Sequence, residues 1–242
     1  IVVATLTPDH PMPSTAVLVK EAIGSHRAAA FDLSAACSGF AYAYAVAHGF
    51  LTAGLGQRAL VIGAESLSRV VDWSDRSTCV LFGDGAGAIV LDALDLHDEQ
   101  NIATRPGTLS FELSADPSGA YALWIPGGSG RDADPLIKMD GAKTYVYATR
   151  TMAAVATAAI ERAGLTVPEV DLVIPHQANL RIIEHVSKAI DFPMEKIFVN
   201  LDRYGNTSAA SIPIALSEAV AAGRLKPGDV FCTVAFGGDR LG

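Results

Sequence analysis

Three side chains in this sequence have both the chemistry and the setting for catalysis. Cys37 lies in "FDLSAACSGF", where a strand-like run turns into a long helical run of small residues. Only a small fraction of a thiol is thiolate at neutral pH, and the partial positive charge of a helix N-terminus raises that fraction. Ala35, Ala36, Ser38 and Gly39 around it leave room for a substrate to reach the sulfur. His176, in "DLVIPHQANLRII", stands where an apolar strand gives way to a helix. That is the end of a strand at which α/β proteins place their chemistry, and imidazole is the side chain suited to protons near neutrality. Asn206, in "LDRYGNTSAAS", follows Gly205 and opens a second small-residue helix. Each has a structural reading beside the catalytic one: a packed thiol, a capping or surface histidine, and a helix N-cap. Cys79 and Cys232 sit inside apolar runs and read as structural, and His10, His26, His48, His97 and His185 read as surface histidines.

The elements that must position these residues alternate along the chain. Strands are expected at 1–6, 29–34, 59–64, 86–92, 108–114, 171–175, 196–200 and 229–236, and helices at 14–23, 38–54, 141–163, 178–190 and 207–222. Residues 115–140 read as loop. Alternation at this spacing argues for a layered α/β fold. Of the 242 residues, 50% are hydrophobic and 18% charged, which supports a large core and argues against disorder. A formal charge of −8 argues against general nucleic-acid binding. No apolar run is long enough for a membrane span and no basic-then-apolar leader is present. The three cysteines have neither paired nor metal-type spacing, so reduced thiols in the cytoplasm are expected. The chain opens on "IVVATLT" without Met and closes on "AFGGDRLG", each beside a strand-like run, so further segments are expected beyond both ends.

An internal repeat links two of the candidates. "CSGFAYAYAVAHGFLTAGLGQRALVIGA" and "NTSAASIPIALSEAVAAGRLKPGDVFCTVA" share a small-residue helix, an "AG", a turn and an apolar strand. Aligning Gly54 with Gly223, an offset of 169, carries Cys37 onto Asn206. A pseudo-twofold fold would bring the two helix starts together. "FGDGAGAIVL" fits a loose G-x-G-x-x-A pattern, but its glycines run into a strand rather than opening a helix, so close packing or a tight turn is expected and a nucleotide loop is not. Arg181, His185 and Lys188 fall on one face of helix 178–190, a solvated face or a small docking site for an anionic partner.

Five blocks in order, "AACSGF", "FGDGAGA", "PHQANLRII", "YGNTSAAS" and "AFGG", resemble β-ketoacyl-acyl-carrier-protein synthase III, a thiolase-fold condensing enzyme family. The resemblance runs from Ile1 to about Gly238. It implies a duplicated five-layer αβαβα fold with the first half incomplete in this chain: an N-terminal half over 1–95, a connecting region over 96–140 and a C-terminal half over 141–242. It also implies a Cys-His-Asn triad, which maps onto Cys37, His176 and Asn206, with the backbone N–H groups of Cys37 and Gly238 as the oxyanion hole. Elongating relatives carry a second histidine in place of the asparagine. Met12 matches the position that reaches the acyl pocket across a homodimer, and Arg181 and Lys188 match the carrier-protein docking region. The implied reaction is decarboxylative Claisen condensation of an acyl-coenzyme A primer with malonyl-acyl carrier protein, without a metal or cofactor. A same-fold acyltransferase or starter synthase of secondary metabolism with another acceptor is the alternative, and an inactive fragment is a second. The sequence departs from the family at "GGG", which reads Gly237-Gly238-Asp239 here.

Overall fold

The computed structural model describes residues 1–93, 107–127 and 134–237. Its centre is a four-stranded sheet in the order β2-β1-β3-β4, with β1 Val2–Ala4, β2 Phe31–Leu33, β3 Arg58–Ser66 and β4 Asp84–Asp92. β1 runs parallel to both β2 and β3, and β4 is antiparallel to β3. A second sheet pairs β7 Leu172–Pro175 with β8 Phe231–Val234 in parallel. Between them in sequence, β5 Leu123–Trp124 and β6 Lys138–Met139 form a short antiparallel pair within the stretch expected to be loop.

Alternation of side chains across each strand builds the layers. Val2 and Ala4 face the same core as Leu172 and Ile174, and that core is filled by Phe40, Ala43 and Ala47 of α2 Gly39–Thr52 and by Ile212, Ala215 and Ala219 of α6 Ser211–Ala221. The two small-residue helices therefore form the middle layer, between the sheets. Ala and Gly on their faces permit close approach: a Cβ on Gly39 would lie 3.2 Å from the Cβ of Ala4 and 3.3 Å from that of Ala209. On the far side of the second sheet, Val173 and Val234 join Met152, Ala156 and Ile160 of α3 Gly141–Arg162 and Ile183 and Val186 of α4 Leu180–Ala189. α1 Thr15–Ala22 lies on the outer face of the first sheet, its N-terminal N–H groups of Thr15 and Ala16 held by the Asp32 carboxylate at 2.8 Å each. The result is helix, sheet, helix, sheet, helix, the expected thiolase-like five-layer α/β fold.

Two expected strands are not formed. Residues 108–114 alternate like a strand, yet they join no ladder among the described residues. Side chains hold them instead: the Tyr44 and Thr108 hydroxyls are 2.6 Å apart, Ser110 Oγ donates to Ala159 O at 2.6 Å, and Glu112 pairs with Arg162 at 2.7 Å. Residues 196–200 make only an isolated bridge, Ile197 to Val173, with Phe198 N donating to Val173 O at 2.9 Å. The chain then turns into the short helix α5 Leu201–Tyr204. Four helices also start later than expected, α1 by a single residue. Asn179 caps α4 by accepting from Arg181 N, and α2 and α6 are each preceded by a 3-10 turn, at Ala36–Ser38 and Ser208–Ala210.

The pseudo-repeat is real in the backbone, but its register changes along the helix. Gly54 and Gly223 end α2 and α6 with positive φ of 72° and 66°, at the offset of 169. At the helix starts, the matching residues with positive φ are Ala36, at 45°, and Ser208, at 49°, an offset of 172. α2 has 14 residues and α6 has 11, which accounts for the difference. Cys37 therefore stands opposite Ala209, and Asn206 lies in the loop just ahead of the second elbow. This corrects the one-to-one match of Cys37 with Asn206.

Candidate active site

Cys37 occupies a sharp elbow between β2 and α2. Ala36 holds φ at 45°, a left-handed conformation that costs a non-glycine residue ~1 kcal/mol and lifts the next side chain out of the strand direction. The thiol sits within the 3-10 turn that leads into α2, so the N-terminal charge of that helix acts on it. Cys37 is 5% exposed. Gly237 packs on this elbow: a Cβ there would lie 3.2 Å from Cys37 N and 3.3 Å from the Ala36 Cβ. The chain beyond the last strand thus passes beside the Cys37 N–H. Gly238, expected as the second oxyanion donor, lies outside the described residues.

His176 follows the last residue of β7, and its own N–H donates to Val234 O at 2.7 Å, extending the ladder. The imidazole is 1% exposed, and burial pushes its pKa down to about 4, so the ring is neutral near pH 7. Its Nδ1 lies 2.6 Å from Ser211 Oγ, which leaves Nε2 for the cavity that the ring lines.

Asn206 is placed by a loop laced to the start of β4. Asn206 N donates to Leu81 O at 2.9 Å, and Gly83 N donates to Asn206 O at 2.9 Å. Gly205 makes the turn with φ of 66°. Asn206 Oδ1 accepts from Ser208 N at 2.8 Å, which fixes the amide so that Nδ2 is the end left to donate outward. The loop is anchored from behind by Glu218 of α6, which accepts from Asn200 Nδ2 at 2.8 Å, from Tyr204 OH at 2.5 Å and from the Arg203 guanidinium.

The glycines of "FGDGAGA" serve this packing and not a phosphate. A Cβ on Gly83 would lie 2.2 Å from Tyr204 O, and one on Gly87 would lie 2.6 Å from Ile214 N. Strand β4 and the 204–214 segment touch through backbone, as the sequence reading expected of this stretch.

Cys37, His176 and Asn206 line one cavity of ≈ 620 Å³. Its walls are mainly apolar, from Leu123, Met139, Ala148, Met152, Ile182 and Phe236. A thiol at the start of α2 therefore shares with the imidazole of His176 and the carboxamide of Asn206 a pocket of the size and character of small-molecule sites. Arg181 also lines this cavity and is exposed at the start of α4. Lys188 is exposed at the end of the same helix, away from the cavity lining. Met12 is 86% exposed and does not line the cavity of its own chain. Cys232 lies away from the cavity, and burial pushes its thiol up to about 11. No group of three or more His, Cys, Asp or Glu placed to hold a metal occurs among the described residues.

Pro175 and Gln177, on either side of His176, are expected from the sequence to fix a turn there, and Gln177 donates to Pro175 O and Phe198 O and accepts from Asn200 N, stapling β7 to the segment that leads to Asn206. Two other contributors, Ser211 and Glu65, were not singled out from the sequence. Ser211 looked like one more small helical residue. Glu65 sits in β3 with 5% exposure, accepting from Thr5 Oγ1, Leu6 N and Thr7 Oγ1. Burial raises its pKa against those hydrogen bonds.

Two family models match the chain. The model described as 3-oxoacyl-[acyl-carrier-protein (ACP)] synthase III covers residues 31–116, and the one for its C-terminal part covers residues 160–239. The beta-ketoacyl-[acyl-carrier-protein] synthase III of Symbiobacterium thermophilum is 48% identical over 246 residues, spanning 98% of this chain and 72% of that protein. The crystal structure of the corresponding synthase from Thermus thermophilus superposes with a TM-score of 0.90 at 44% identity, covering 99% of this chain and 74% of the other. A priming beta-ketosynthase from the R1128 polyketide pathway superposes with a TM-score of 0.88 at 32% identity, covering 99% of this chain and 71% of the other.

Proposed function

Because the chain belongs to the 3-oxoacyl-[acyl-carrier-protein] synthase III family, we propose that Cys37, His176 and Asn206 carry out the condensation that starts fatty-acid synthesis. The observation that supports this assignment of roles is that Cys37, His176 and Asn206 all line the same mainly apolar cavity, with the thiol at a helix start.

The Cys37 thiolate attacks the thioester carbonyl of an acyl-coenzyme A primer. The Cys37 N–H and, from the family resemblance, the Gly238 N–H hold the oxyanion, where one such donor is typically worth about 3 kcal/mol. The carbon–sulfur bond to coenzyme A breaks, and the acyl group remains on Cys37. Malonyl-carrier protein then enters. His176 Nε2–H and Asn206 Nδ2–H donate to its thioester oxygen. Loss of CO2 places an electron pair on the α-carbon and negative charge on that oxygen, so two aimed donors stabilise the enolate more than the ground state. The carbon attacks the acyl-cysteine and releases the Cys37 thiolate with the β-ketoacyl product. A neutral, fully buried histidine suits this role, because it donates without taking the substrate's charge. Asparagine donates at every pH.

The finer assignments belong to the same proposal. Met12, exposed on its own chain, reaches a partner's acyl pocket in a homodimer. Arg181 and Lys188 meet the acidic carrier protein. Acyl-coenzyme A and malonyl-carrier protein are substrates, and no cofactor takes part. The chain divides into halves at 1–95 and 141–242 with 96–140 between them. The cytoplasm is the proposed location, and no helix among the described residues is long and apolar enough to cross a membrane.

The test is intact-mass analysis after incubation with a panel of acyl-coenzyme A thioesters, followed by CO2 release from malonyl-carrier protein. An acyl adduct that vanishes in Cys37→Ala, with CO2 release that depends on the adduct, supports the proposal. An adduct on Cys79 or Cys232, or acyl transfer without CO2, overturns it.

A further inference from the structure

We infer that Ser211 is a positioning residue for this reaction: its hydroxyl donates to His176 Nδ1 and thereby fixes the proton of the neutral ring on Nε2. The inference rests on the reading of His176 as a hydrogen-bond donor to the substrate. Nothing in that role is possible for the opposite tautomer, in which Nε2 is bare and only accepts.

The geometry decides the direction of the bond. Ser211 is the first residue of α6 and is 2% exposed, so water does not compete for its hydroxyl. Its Oγ has two partners: His176 Nδ1 at 2.6 Å and the backbone N–H of Gln177 at 3.4 Å. The Gln177 N–H can only donate, so Oγ accepts there. A serine inside a helix commonly gives its proton to the carbonyl four residues back. Here no such bond to Thr207 O is made among the described residues, and the hydroxyl proton is left with Nδ1 as its acceptor. A short O–H···N bond in a buried site is the strong form of this interaction, and the alternative would leave a hydroxyl proton without an acceptor.

The placement couples the two donors. Asn206, Ser208 and Ser211 belong to one continuous elbow. Ser208 N fixes the Asn206 amide through Oδ1, and one helical turn later Ser211 Oγ fixes His176 through Nδ1. The same six-residue stretch therefore sets the hydrogen-bonding sense of both groups that face the thioester oxygen.

The direct test is the 15N spectrum of histidine-labelled protein, with the His176 signals identified by their loss in His176→Gln. A protonated Nε2 and a bare, hydrogen-bonded Nδ1 are expected in the resting enzyme. The reverse pattern overturns the inference, whether or not the protein is active. The second test compares half-reactions in single turnover. In Ser211→Ala, CO2 release falls about tenfold while acylation of Cys37 changes less than about twofold, and Ser211→Thr restores the release. Unchanged CO2 release in Ser211→Ala, or a parallel fall of both steps that threonine does not repair, overturns it. A wild-type protein with the expected 15N pattern but without an adduct or CO2 release would instead sink the functional proposal and leave the Ser211 contact standing.

Discussion

Adding one methyl group at Gly83 should separate the two halves of the reaction. Gly83, immediately ahead of β4, packs against the backbone of the loop that carries Asn206, and its N–H donates to Asn206 O at 2.9 Å. An alanine Cβ would lie 2.2 Å from Tyr204 O, a backbone atom that cannot rotate away as a side chain could. Relief requires the 204–206 segment to retreat by about 1 Å, and overpacking of this kind costs ~1–3 kcal/mol of stability. The segment is tied at both sides, by Tyr204 OH to Glu218 and by Ser208 N to Asn206 Oδ1, so the shift passes to the Asn206 amide. A 1 Å misplacement of a catalytic group is worth about 100-fold in rate, or ~2.7 kcal/mol. Cys37 is positioned by other contacts, those of its elbow with Gly237 and of Gly39 with Ala4 and Ala209. Gly83→Ala should therefore form the acyl adduct at close to the wild-type rate and release CO2 about 100-fold more slowly. Mass spectrometry reads the first step and CO2 capture reads the second. Gly49→Ala in the exposed face of α2, where a Cβ meets nothing within 4 Å, is the folding control and should gain about 0.5–1 kcal/mol of stability. Normal CO2 release from a folded Gly83→Ala protein would refute the reasoning, as would equal loss of both steps.

Two further outcomes follow from charge. The folded pKa of His176, about 4, lies below the unfolded value of 6.5, so the unfolded chain binds the extra proton first as pH falls. Stability should decline by about 3 kcal/mol between pH 6.5 and 4 on this account, and denaturant titrations of wild type and His176→Gln should diverge over that window. Parallel curves would contradict it. Reversing Arg181 and Lys188 to Glu should raise the apparent KM for malonyl-carrier protein about tenfold at low salt, with the effect fading as screening grows. Unchanged KM at low salt would remove the docking assignment.

The layered fold was legible because Ala-rich helical runs alternate with β-branched strands over much of the chain, and because layers follow from that alternation. The elbow at Cys37 was legible as a strand–helix junction, but the left-handed turn at Ala36 was not, since alanine carries no signal for positive φ. The repeat was read from its helix ends, where Gly54 and Gly223 mark the same turn, and the extra residues of α2 then misplaced its start. Residues 108–114 alternate convincingly, yet a strand needs a neighbour, and here side chains of α2 and α3 take that place. Glu65 and Ser211 were invisible for a common reason: hydrogen bonds to distant residues make their burial tolerable, and single-residue chemistry does not encode the partner.

The contact between β4 and the 204–214 segment separates what this protein can change from what it must keep. Where backbone meets backbone through Gly83 and Gly87, any side chain collides with fixed atoms, so the placement of the Asn206 loop relative to the rest of the cavity has almost no mutational latitude. The cavity walls are ordinary side chains, Met139, Met152, Leu123 and Ile182 among them, and each can be exchanged for another apolar residue at modest cost. Substrate preference can thus drift on one set of positions while the reaction is held constant by another, which makes the scaffold conservative in chemistry and adaptable in the acyl chains it accepts.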